Sequence, residues 1–466
     1  MNFTDFGFWP RLLCCLLAIA GVKWACGRLG IRLPGWFDRA GLAATSLYLL
    51  SCVDALTFWL FILLTVVSYT GVLIISSTPT AKRTLVLFFA VPLVLLPLAY
   101  FKYRTFLIEE VLGWSTQTFD AVGIPAGISF YTFQKVSVLV DAARLPRFRP
   151  SFLNYLNFAS FFPQVVAGPI ERKDELMPQV ERFQFSFSLL NLNNASSWLA
   201  LGVFYKICLA DNLSPFIDRE LWDSAWPIVW NTLLFGFKIY FDFCGYSLIA
   251  LGLGKLVGVD LLLNFRSPYL CTSILDFWRR WHVTLSYWFR DYVYIPLGGS
   301  RTRYWAGALM LVFLLSGLWH GASWTFVLWG AMHGAYCVIG HALKGKFALP
   351  PALGWIFTMS LVFIAWLPFY ETRWNILCQK FCVLASWQAY SLSALRAYVG
   401  SFDPGSLATM TVAVAMCMGA LSLEFLSAQK RSFYAFASHP PVIFLLVVAT
   451  IWLGSSRGNA FVYFQF

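Results

Sequence analysis

"LLSGLWHGASW", residues 314–324, is a run of apolar and small residues holding one side chain that titrates near neutral pH, His320. The apolar character begins soon after Arg303 and continues through "WTFVLWGAMHG" to a second histidine, His333. A run of this length reads as helix inside a bilayer. An imidazole within it needs a polar partner or a water-filled cavity, because burying a polar group unpaired costs about 2–7 kcal/mol. Two readings stay open on these residues. His320 either bridges packed helices, or it is a catalytic base at membrane depth, where an ionisable residue is a functional-site candidate by default. Gly317, Gly321, Ser316, Ala322 and Ser323 surround it and let another helix or a ligand approach the backbone. Trp319 and Trp324 flank it. His333, near the end of the run and followed by Gly334, is free to snorkel toward an interface.

The rest of the chain agrees with a membrane solvent. Of 466 residues, 59% are hydrophobic and 12% charged, against about 25% charged in soluble domains. Residues 40–77 carry one charge, Asp54, and suffice for two helices of about 20 residues each. Further runs lie near 8–26, 85–100, 121–140, 152–168, 192–210, 227–251, 353–370, 407–425 and 441–453. The expectation is an all-α integral membrane protein of about 11 spans, with re-entrant or interfacial helices around a central tunnel. Residues 8–26 lack a basic leader and a small-residue cleavage site, so they read as a first span.

Lys and Arg number 34 against 22 Asp and Glu, a net charge of +12. The basic residues fall between apolar runs and form no tail, which speaks for membrane topology and against nucleic acid. Arg28, Arg32 and Arg39, then Lys82 with Arg83, and Lys430 with Arg431 mark cytoplasmic loops. Both termini are then expected outside. The eleven cysteines show no CxxC pair, so no metal site is expected, and they read as small buried hydrophobes. No internal repeat is visible, which weakens a transporter reading. The interval 169–187, charged in both signs, reads as a surface loop.

Residues 264–301, "NFRSPYLCTSILDFWRRWHVTLSYWFRDYVYIPLGGSR", mix aromatic and charged residues densely. Ser273 and Asp276 resemble a capping box. Phe277, Trp278, Trp281, Leu285, Trp288 and Phe289 recur at spacings of three and four, which makes one helix face. The expected element is a basic, tryptophan-rich helix lying in the membrane interface, apolar face down. Arg279, Arg280 and Arg290 on its flanks pair either lipid headgroups or the phosphates of a bulky ligand. His282, on the same helix, is either solvated or functional.

These pieces resemble the membrane-bound O-acyltransferase family. The resemblance rests on "SFYTFQ" at 129–134, "FFPQVVAGPIER" at 161–172, "YFDFCGYS" at 240–247, "NFRSPY" at 264–269, the arginine–tryptophan stretch above and "LWHGASWTFVLWGAMHG" at 318–334. The core motifs thus span 129–334 within a single domain, 1–466. "YIPLGG" and "FPQVVAGPIER" look like the bacterial branch that O-acetylates exopolysaccharides; "KVSVLVDAARL" departs from its alginate type, so cellulose stands beside alginate as the polymer. The resemblance implies that His320 is catalytic and that His282 matters for activity. Donor or substrate contacts are expected at Asn264, Arg279, Arg280, Trp281, Arg290, Ser316 and Trp319. The resemblance implies no tightly bound cofactor, with acetyl-CoA or another acyl thioester as donor. The expected partners are an extracytoplasmic acetyl-accepting protein, an exopolysaccharide synthase complex and membrane lipids, in a bacterial inner membrane. D-alanyl or other acyl transfer to a cell-wall polymer, a proton-coupled transporter and an export-complex subunit are the alternatives.

Overall fold

A computed structural model describes residues 3, 5–114, 123–145, 148–217, 220–346, 349–428, 433–455 and 461. The Lys430–Arg431 pair lies outside the described residues. Those described form helices and loops, with no strand among them. Among the described residues, seven helices are long and apolar enough to cross a membrane: Phe8–Arg28, Ala55–Ser77, the helical stretch Thr80–Tyr103, Ala225–Val257, Trp324–Leu343, Pro351–Tyr370 and Pro404–Ser427. Two shorter apolar helices, Trp305–His320 and Pro440–Leu453, join them. Their outer faces carry large apolar side chains such as Phe88, Trp59 and Trp452, all strongly exposed. Lipid solvates such a surface, and each helix satisfies its own backbone there.

Not every expected run becomes a long helix. In residues 152–168 the helix stops at Ser160, giving about 13 Å of rise, and the chain then turns through 161–168. The turn packs tightly on Gly127, whose φ of 74° is left-handed and whose Cβ position is filled by the Val166 backbone. Only glycine fits there. The cysteines are free, but Cys14, Cys52, Cys378 and Cys382 are exposed rather than buried.

The chain divides into two compact units. The first holds Met1–Leu199 and Tyr246–Leu263. In it, helices Ala55–Ser77, Thr80–Leu98 and Ile128–Arg144 pack together. Asp54 caps the first of these by accepting from the Thr57 N–H at 2.7 Å. The interval 169–187, expected as a surface loop, is partly interior. Glu171 is 1% exposed and accepts from the Leu262 N–H at 2.6 Å. Burial pushes its carboxyl up to about 8, and that bond offsets the shift only in part. The folded state therefore holds this proton while the unfolded chain loses it near 4.5, so stability falls as pH rises across that window. Glu171→Gln keeps an acceptor and cannot ionise. Its melting temperature is expected to stay flatter than wild type from about pH 5 to 8 and to exceed wild type at the upper end. Parallel melting profiles for the two proteins would reject this assignment.

The second unit holds Ala200–Gly245 and Asn264–Phe466. Lys206 lies between two carboxylates, 2.7 Å from Asp211 and 2.6 Å from Asp242, and all three side chains are buried. Nearby, the Tyr205 and Tyr240 hydroxyls donate to Glu424 at 2.6 and 2.8 Å. Tyr240 and Asp242 both come from "YFDFCGYS", so that segment fastens the core of this unit. Helices Trp305–His320 and Trp324–Leu343 form a tight hairpin. A Cβ on Gly317 would collide with the Phe326 carbonyl, and one on Gly330 with the Phe313 carbonyl. The small residues around His320 thus serve helix packing first.

Candidate active site

His320 is the last residue of Trp305–His320 and is 3% exposed. That helix is sixteen residues long, a rise of about 24 Å, and His320 stands at its far end. Gly321 leaves the helix in extended conformation. Ser323 then caps the next helix by accepting from the Thr325 N–H at 3.3 Å, and its hydroxyl donates to the Thr372 carbonyl at 3.1 Å. Thr372 follows Glu371, which is fully buried and bound by Lys380 at 2.7 Å and Arg373 at 2.8 Å. Those ion pairs hold the end of helix Pro351–Tyr370, whose Phe369 ring lies 5.2 Å from the His320 ring.

His282 is placed by a break in the helix expected over 273–290. Ser273 does cap the first piece, accepting from the Asp276 N–H at 3.3 Å. The helix runs Ile274–Arg280, opens at Trp281, and resumes at Val283–Phe289. His282 between them has φ 41° and ψ 54°, the left-handed region. A non-glycine residue there costs roughly 1–2 kcal/mol, and such strain concentrates at functional sites. Asn264 clamps the break. Its carbonyl accepts from the Val283 N–H at 3.0 Å, and its side-chain oxygen accepts from the Thr284 N–H at 3.2 Å and hydroxyl at 2.7 Å. His282 is 1% exposed, so the solvated reading is corrected. The aromatic face is also buried in protein, not laid on lipid. Phe277 and Trp281 are nearly inaccessible, and Trp281 lies 5.0 Å from the Trp366 ring. The expected single face is interrupted at the break, and protein rings rather than lipid cover its apolar side chains.

The outcome is an alternating row of imidazole and indole rings. Centroids are 5.9 Å apart for His282–Trp319, 5.0 Å for Trp319–His320, 5.0 Å for His320–Trp329 and 4.9 Å for Trp329–His333. Each pair meets edge to face, the favoured geometry for aromatic quadrupoles. Ser316, one turn before His320, is 5% exposed. His282, Trp319 and His320, expected as site residues, therefore meet. His333 does not snorkel, being fully buried at 0% exposure. Trp329 was missed, although its spacing of four from His333 puts both on one helix face. Phe369 and Trp366 carried no local signal, since they arrive from another helix.

The arginines stay outside this row. Arg279 is exposed. Arg280 bonds Asp276 at 2.8 Å, and Arg290 bonds Asp291 at 2.6 Å while lying over the Tyr287 ring. Half-exposed pairs of this kind contribute little stability and leave the cations at the surface.

The described residues thus make a helical, multi-pass membrane protein in which a strained histidine and a helix-terminal histidine meet through an indole. The family model for the membrane-bound O-acyltransferases matches residues 47–378, and the chain belongs to that family. It is an O-acyltransferase. A probable alginate O-acetylase of Azotobacter vinelandii is 35% identical over 73% of this chain and 70% of its own length. A peptidoglycan O-acetyltransferase of Helicobacter pylori is 36% identical over 58% of this chain and 59% of its own. A teichoic acid D-alanyltransferase of Streptococcus thermophilus is 29% identical over 47% of this chain and 57% of its own.

Proposed function

We propose that this protein carries acetyl groups from a cytosolic thioester, acetyl-CoA or a carrier-bound acetyl, through a tunnel across the bacterial inner membrane for O-acetylation of an exopolysaccharide such as alginate or cellulose. The carrying observation is His320, buried at the end of a helix within the imidazole–indole row. Neutral His320 takes the proton of an incoming hydroxyl, whose oxygen attacks the acyl carbonyl. The thiolate then leaves and takes that proton from the imidazolium. His282 and Trp319 hold the other side of the row. Arg279, Arg280 and Arg290 suit a phosphate-bearing donor on the cytoplasmic face, with both termini on the opposite side. The likeness to a probable alginate O-acetylase favours acetyl over D-alanyl.

The acceptor side is expected to need a second protein. The described residues offer little beyond their helices with which to grip a polymer, so the acetyl group passes to an extracytoplasmic partner, which modifies the polysaccharide within a synthase complex. The test is purified protein in vesicles, with acetyl-CoA on one face and uronate, cello- or peptidoglycan oligosaccharides on the other. Release of free CoA with acetylated sugar only when an extracytoplasmic fraction is added supports the relay. Efficient acetylation of a sugar by this chain alone would make it the terminal transferase and remove the partner.

A further inference from the structure

We propose that the indole N–H groups of Trp329 and Trp278, with the His333 ring beside them, form the pocket that takes the acyl carbonyl oxygen during transfer. The inference rests on the acyltransferase reading above and assigns it a second set of groups.

Trp278 Nε1, Trp329 Nε1 and both ring nitrogens of His333 are buried without a hydrogen-bond partner among the described residues. About nine in ten buried polar groups have one, so four orphans in one place mark a site built for something else. The three rings touch one another. Centroids are 5.8 Å apart for Trp278–Trp329, 5.0 Å for Trp278–His333 and 4.9 Å for Trp329–His333. Phe277 and Phe313 stack on His333 at 6.1 and 6.5 Å, so the walls are apolar. Trp329 also borders the base, its ring lying 5.0 Å from that of His320 at an interplanar angle of 85°.

Chemistry selects the occupant. An indole N–H donates and cannot accept, while a carbonyl oxygen accepts and cannot donate. A water would find few acceptors in this box, whereas an oxygen gaining negative charge meets two fixed donors in a low-dielectric wall. The steps balance. The acceptor hydroxyl gives its proton to His320 as its oxygen bonds the carbonyl carbon. The C=O π pair moves onto oxygen, where the Trp329 and Trp278 N–H groups bond it. That pair returns, the C–S bond breaks, and the thiolate takes the proton from His320.

The experiment uses full-length Trp329→Phe and Trp278→Phe in vesicles, with acetyl-CoA as donor. The expected result is a fall in kcat of about 100- to 1,000-fold for each, the loss typical of one such donor, with KM for the donor little changed. Two unreactive donor analogues separate this from damage to packing: the ketone in which CH2 replaces the thioester sulfur, and S-ethyl-CoA, which has no carbonyl. Wild type is expected to prefer the ketone, and each variant to lose that preference while binding S-ethyl-CoA as before. A kcat within twofold of wild type, or an unchanged preference, overturns the pocket. Failure of the underlying reading shows instead in the wild type, which would then transfer acetyl to no hydroxyl and take the pocket down with it.

Discussion

His320→Ala is expected to abolish acetyl transfer while the protein still inserts and accumulates. The imidazole is in contact with Trp319, Trp329 and Phe369, so its loss opens a small cavity in an aromatic cluster, at a modest cost in stability. Its loss also removes the group proposed above as the base for the hydroxyl proton. General base catalysis contributes about 100- to 10,000-fold, and a residual rate below one-hundredth of wild type is expected. The assay is acetyl ester content of secreted polymer, with membrane abundance of the protein measured in the same cells. Normal ester content in the variant would take His320 out of the mechanism, and lost abundance would reassign it to folding.

The largest effect on stability is expected from Lys206→Met. The substitution keeps much of the apolar stem but leaves Asp211 and Asp242 facing each other without their cation, each formerly bonded at 2.7 and 2.6 Å. Removing one partner of a buried ion pair costs about 3–5 kcal/mol, mostly because an uncompensated charge stays behind. Here two carboxylates are stranded. The variant is expected to accumulate poorly and to melt well below wild type in detergent. Combining it with Asp211→Asn and Asp242→Asn removes the stranded charge and is expected to restore much of the loss. A single variant that melts like wild type would show that the cluster contributes nothing to the fold.

Much of the site was legible along the chain because it is carried by short segments. A histidine within a long apolar run and another beside paired arginines are local features. So was the capping serine at Ser273. His282 shows where such reading stops. Its neighbours have the spacing of a continuous helix, and no glycine or proline marks a break there. The left-handed turn at His282 is held by Asn264, eighteen residues earlier, which supplies its carbonyl and side-chain oxygen to Val283 and Thr284. Backbone groups freed by the break find partners there, which a window of ten or fifteen residues does not contain.

The burial of His333 has the same origin. From the sequence, a histidine near the end of an apolar run can reach an interface at little cost. In the folded unit, Trp278 arrives from a different helix and closes over it. By itself the sequence determined that the protein is helical and lipid-solvated. In a solvent that offers no hydrogen bonds, 59% apolar composition and self-satisfied backbone leave helices as the economical answer. It also placed imidazoles inside long apolar runs. Which imidazoles meet, through which indoles, and with which donors left unpaired was decided only by tertiary packing, because periodicity gives the face of a helix but not what is brought against it.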